Sequence, residues 1–89
     1  MSWKQNKEWK HFKQVNTGKM GVIVVKVAEI IMKELDKDVD IDKINAKQLI
    51  KDADKYGEVT RMMETFITQA VNDFHPKGKA FLENRENAD

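Results

Sequence analysis

The chain has 89 residues, 35% of them charged, with no cysteine and a formal net charge of +1. That composition excludes disulfide staples, thiol nucleophiles and zinc–thiolate sites, and the apolar run Gly21 to Val25 falls far short of the roughly 20 residues that span a bilayer. One domain of this length buries only roughly 60–65% of its unfolded surface, which leaves room for a partner or a second copy to add to a modest core.

The charge is unevenly laid out. Residues 1–19 carry Lys4, Lys7, Lys10, Lys13 and Lys19 against Glu8, a balance of +4, while residues 36–58 carry seven acids against five lysines, a balance of −2. Such a dipole suits steering of a charged partner or head-to-tail contact. No apolar stretch promptly follows the first lysines, so no signal peptide is read and the expected address is the cytoplasm.

Residues 2–15 predict a helix opened by a Ser2–Gln5 capping box. At 100° per residue, Trp9, Phe12 and Val15 share one face and Lys4, Lys7, Lys10 and His11 the opposite one. Trp3 falls among the lysines, where an exposed tryptophan suits contact with nucleic acid or an anionic membrane. Gly18 is read as the stop of this helix, and Gly21 as a first-turn residue of the next that lets the two approach.

Residues 20–36 hold the most apolar segment. Lys26, Glu29, Lys33 and Asp36 recur at three- and four-residue steps, which is one stripe of a helix and not a strand. The remaining face, with Met20, Ile23, Val24, Val27, Ile30, Ile31 and Leu35, covers well over half the circumference, as in a central helix or one also buried in an oligomer. In the acidic connector that follows, Val39, Ile41 and Ile44 read either as a short extended piece or as anchors of the loop.

Asn45 with Gln48 predicts the start of another helix, with an apolar stripe of Ala46, Leu49, Ile50, Ala53 and Tyr56 and a left-handed stop at Gly57. A last long helix is predicted over 58–74, with Val59, Met62, Met63, Phe66, Ile67, Ala70, Val71 and Phe74 in line, ended by His75-Pro76. Residues 77–89 read as a partly flexible tail with one weak turn around Phe81 and Leu82. The fold class is therefore all-α: a three- or four-helix bundle over residues 1–76 with helix 20–36 at its centre.

Catalytic and metal motifs fail on their own terms. Asp36, Asp38, Asp40 and Asp42 take EF-hand spacing, but Ile41 stands where the loop needs glycine and Lys47 where it needs a bidentate glutamate. Gly18-Lys19 lacks the earlier glycine of a phosphate loop, and Met20 replaces its Ser/Thr. Asp73 and His75 have no third ligand or nucleophile beside them. No enzyme activity, cofactor, metal or small-molecule substrate is expected.

Two resemblances bear on nucleic acid. Gly18-Lys19-Met20-Gly21, followed by Val24 and Val27, resembles the GxxG loop of KH domains, which implies a clamp on an RNA backbone with Lys19 as its cation. "ADKYGEVTRMMETF", residues 53–66, resembles the helix-turn-helix of bacterial transcription regulators. Ala53 and Gly57 then match the close-packed alanine and turn glycine, and Tyr56, Met63 and Phe66 the buried positions. That resemblance implies a DNA-reading unit over 46–74, with Thr60, Arg61, Glu64 and Thr65 facing the major groove and Lys4, Lys7, Lys10 and Lys19 on phosphate. A plain αα-hairpin with a glycine cap explains the same spacing.

The residues carry furthest a non-catalytic interaction or regulatory protein that binds another macromolecule, a second copy of itself included. Its methionines Met32, Met62 and Met63 suit adaptable contacts. Trp3, Trp9, Met62 and Phe81 are the expected anchors. The helix-turn-helix DNA binder is the alternative.

Overall fold

The computed structural model describes residues 2–37, 40–55 and 57–86. Within them the chain is all-helical: a 3₁₀ turn at Trp3–Gln5, α1 (Lys7–Val15), α2 (Lys19–Leu35), a second 3₁₀ turn at Ile41–Lys43, α3 (Ala46–Ala53), α4 (Arg61–Phe74) and α5 (Gly78–Glu86). The molecule is a slab of 32 × 31 × 18 Å. Its thin dimension holds two helices, each about 10–12 Å across.

The helix at 20–36 is central, as its broad apolar face requires. Ile23, Val24, Val25, Val27, Ala28, Ile31, Met32 and Leu35 of α2 are all buried, while Lys26 and Lys33 on the polar stripe stay exposed. Helix α4 packs along α2 with Met63, Ile67, Ala70 and Val71. Met32 and Met63 are core residues, so neither is available to a partner as the sequence suggested.

Helix starts follow side-chain caps. The Asn45 carboxamide accepts the N–H of Gln48, and Thr60 Oγ1 accepts that of Met63, whose sulfur in turn takes the Thr60 N–H. Thr60 therefore caps an α4 that starts at Arg61, three residues later than the predicted Glu58. Helix α3 stops at Ala53, earlier than expected, because the Asp54 carboxylate accepts the N–H groups of Gly57 and Val59 and folds the chain away. Gly57 does adopt a left-handed φ of 63°, but inside this connection. Tyr56 and Val39 lie outside the described residues.

Two segments differ in kind from the expectation. The helix predicted over 2–15 breaks at Asn6, which closes the first 3₁₀ turn by its backbone N–H and caps α1 with its side chain. Ser2 accordingly caps Lys4 and forms no box with Gln5. The expected tail instead forms α5 over residues 78–86, packed on α3 and α4. The turn His75–Gly78 places Pro76 and Gly78 at the positions a type I turn favours, and its glycine is obligatory. A Cβ at Gly78 would stand 2.1 Å from the Val71 carbonyl oxygen. At the far end of α5, Asn84 accepts the Ala46 N–H at 2.9 Å and donates to the Ile44 carbonyl at 2.7 Å, satisfying backbone groups at the start of α3 that would otherwise lack partners.

Candidate functional site

Of the four expected anchors, Met62 is exposed at 61%, whereas Trp3, Trp9 and Phe81 are 4%, 1% and 0% exposed. The break at Asn6 explains Trp3: a wheel drawn through 2–15 as one helix puts it among the lysines, and the kink turns it inward. Its ring meets Trp9 edge-on with centroids 5.7 Å apart. Trp9 stacks on Phe12 at 5.6 Å and meets Phe74 at 5.3 Å, so this aromatic cluster pins α1 to the end of α4. Phe81 is buried because α5 exists.

Sequence reasoning missed the polar network beneath Trp3. The indole Nε1–H donates to the Asp36 carboxylate at 2.9 and 3.2 Å, and His75 Nε2 lies 2.8 Å from Asp36 Oδ1. The His75 Nδ1 accepts the Lys77 N–H at 3.0 Å, so the ring proton facing Asp36 sits on Nε2. Partial desolvation opposes the Asp36 charge, but the hydrogen bonds from His75 and Trp3, with the nearby charge of Lys4, outweigh it and hold the carboxyl below its ordinary value. A general base needs a free nitrogen within reach of substrate. Both nitrogens of His75 are engaged and its side chain is 3% exposed, which makes the network a structural clasp. Asp73, which sequence placed beside His75, accepts from Gln69 instead.

The open apolar surface lies elsewhere. A groove of about 330 Å³ runs between α1, α2 and α4, floored by Phe12, Met20 and Val24, walled by Phe66 and edged by Gln69 and Asp73. Met20 and Phe66 remain 41% and 45% exposed, and Met62 stands one turn before Phe66 on α4. Gly21, which lines the groove, lets α1 and α2 approach as expected: a Cβ there would come within 2.9 Å of the Asn16 backbone. Gly18 is not the stop of the first helix as expected: α1 ends at Val15 with Asn16 as its C-cap, and Gly18 caps the start of α2.

The residues expected to meet nucleic acid do not form one surface. Lys4, Lys7 and Lys10 are exposed on the N-terminal segment, but Lys19 pairs with Glu58 at 3.7 Å and Thr60 is used as a cap. Arg61 and Thr65 border a hollow shared with Glu64, Arg85 and Glu86. Lys7 borders a cleft with Asp73 and Phe74 at the other end of α4, a helix of 14 residues and so about 21 Å long. The connection 54–60 also exceeds the three- or four-residue turn of a helix-turn-helix. The KH resemblance requires a sheet, and no strand occurs among the described residues.

Among the described residues, no group of three or more His, Cys, Asp or Glu is placed to hold a metal ion; Asp38 of the EF-hand spacing lies outside them. No helix among them is long and apolar enough to cross a membrane. Comparison with protein-family models, with curated proteins and with solved structures gives no match, so the functional reading rests on this chain's own geometry.

Proposed function

We propose that the protein is a non-catalytic interaction module that binds a protein partner through the groove between α1, α2 and α4, with a second copy of the chain as the first candidate partner. One observation carries the reading. In a chain that buries Trp3, Trp9, Met32 and Phe81 almost completely, Met20 and Phe66 stay 41% and 45% exposed on a single groove. Large apolar side chains left together on a small domain mark a contact surface, and methionine adapts its shape to what it meets. The cysteine-free chain suits a reducing compartment, and the cytoplasm is the proposed address.

The test is mass measurement by light scattering across a concentration series, with the wild type beside Phe66→Ser and Met20→Ser. A concentration-dependent dimer weakened at least tenfold by either substitution, with thermal stability nearly unchanged, supports the reading. A wild type that stays monomeric at millimolar concentration and retains no protein from its source lysate ends it.

A further inference from the structure

We propose that the outer face of α1 is a docking strip for the phosphate backbone of duplex nucleic acid, read by charge and not by base sequence. Lys7, Lys10 and Lys13 follow one another at three-residue steps, and at 100° per residue they occupy an arc of about 120°. Glu8, the one acid among residues 1–19, lies on the other side of the helix, about 160° from the centre of that arc. His11 and Gln14 complete the exposed face, and Lys4 continues it onto the 3₁₀ turn. Lys4, Lys7, Lys10 and Lys13 make no ion pair among the described residues. Asp36 is close enough to feel Lys4, and Asp73 shares a cleft with Lys7. The strip proper is therefore Lys7, Lys10 and Lys13.

The buried tryptophans set the kind of partner. Lys4 and Lys13 place their ammonium groups 5.7 and 5.8 Å from the ring centroids of Trp3 and Trp9, within cation–π range. The indoles thus serve as seats that order the lysines. They are not platforms for stacked bases or wedges for lipid. Single-strand binders stack bases on open aromatic rings, and amphipathic membrane helices insert apolar side chains beside their cations. Here the only large apolar side chain of α1 left mostly exposed is Val15. A strip with charge and no exposed tryptophan or phenylalanine ring matches a partner recognised by phosphate alone. Duplex DNA carries one charge per about 3.4 Å of axis on each strand. The Lys7-to-Lys13 rise of about 9 Å therefore meets about three phosphates.

Anisotropy of a labelled 20-base-pair duplex of random sequence at 50 and 200 mM salt tests this. Three phosphate contacts predict a log–log salt slope of about −2.7 and a roughly 40-fold loss of affinity over that range. Lys7→Gln/Lys10→Gln/Lys13→Gln abolishes both, with helicity by circular dichroism unchanged. Lys43→Gln/Lys51→Gln/Lys79→Gln, equal in charge change and elsewhere on the surface, keeps the slope. The proposal is overturned by absence of duplex binding at 50 mM salt, by equal loss in the control variant, or by tighter binding to phosphatidylserine vesicles than to duplex. Phe66→Ser leaves duplex binding intact, so this face and the groove fail or stand separately.

Discussion

His75 Nε2 lies 2.8 Å from Asp36 Oδ1 across 39 residues of sequence, and that bond ties the end of α2 to the turn that launches α5. With Trp3 donating to the same carboxylate, three separate stretches of chain close on one side chain. Asp36→Asn keeps the shape but removes the charge that both donors address. A side chain 42% exposed limits the effect to about 1 kcal/mol, or about 4–8 °C in Tm for a domain of this size, measured by thermal melts at neutral pH.

The same carboxyl sets a pH dependence. Its folded-state value lies below the ordinary 3.8, so the folded state favours the ionised form. The stabilisation is complete above the unfolded value and is lost as pH falls through the folded one. Melts of wild type and Asp36→Asn therefore differ most at neutral pH and converge below 3.8. A gap that widens on acidification contradicts the clasp.

Gly78→Ala puts a methyl group 2.1 Å from the Val71 carbonyl oxygen and 2.5 Å from Asn72 Cα. Backbone on both sides leaves no side chain to swing aside. Overpacking of this kind costs about 1–3 kcal/mol, read as a lower urea midpoint.

Removal of the C-terminal segment tests whether it belongs to the fold. Phe81 is fully buried, and Phe81→Ala costs about 3–5 kcal/mol. A domain of this length has a total stability of about 4–13 kcal/mol. Truncation after Pro76 also removes Asn84 from α3, and its circular dichroism is expected to show an unfolded chain at 37 °C.

Both tryptophans are buried, which intrinsic fluorescence reads directly. Emission is expected to be blue-shifted and poorly quenched by acrylamide, with Trp3→Phe and Trp9→Phe alike in both respects. A red, readily quenched component lost only in Trp3→Phe contradicts the docked N-terminal turn.

Helices α2 and α4 were legible because their apolar positions recur over 14 residues or more, long enough for a period of 3.6 to separate from one of 2. Two local devices escaped that reading. Asn6 breaks a helix by bonding backbone within two residues, a competition that periodicity does not register, and so Trp3 was assigned to the wrong side. Helix α5 has one large buried anchor, Phe81, and its polar Asn84 points inward to serve α3; a stripe count over such a segment reads as tail. The Asp36–His75 bond was invisible for a plainer reason: nothing local links residues that far apart. The groove was half legible: Met62 is an expected contact from sequence, but Phe66 lies in line with the buried positions of the last helix, and only packing shows that the core leaves it 45% exposed.

The Asn84 contact with α3 has a consequence for synthesis. Ala46 waits for a residue 38 positions later, which at about 5–20 residues per second arrives roughly 2–8 s after it. Until then the first turn of α3 and the pocket for Phe81 stand open, and the nascent chain is a set of helices without a closed interior. The interior therefore closes only once α5 has followed α4, well after the central helix has been made.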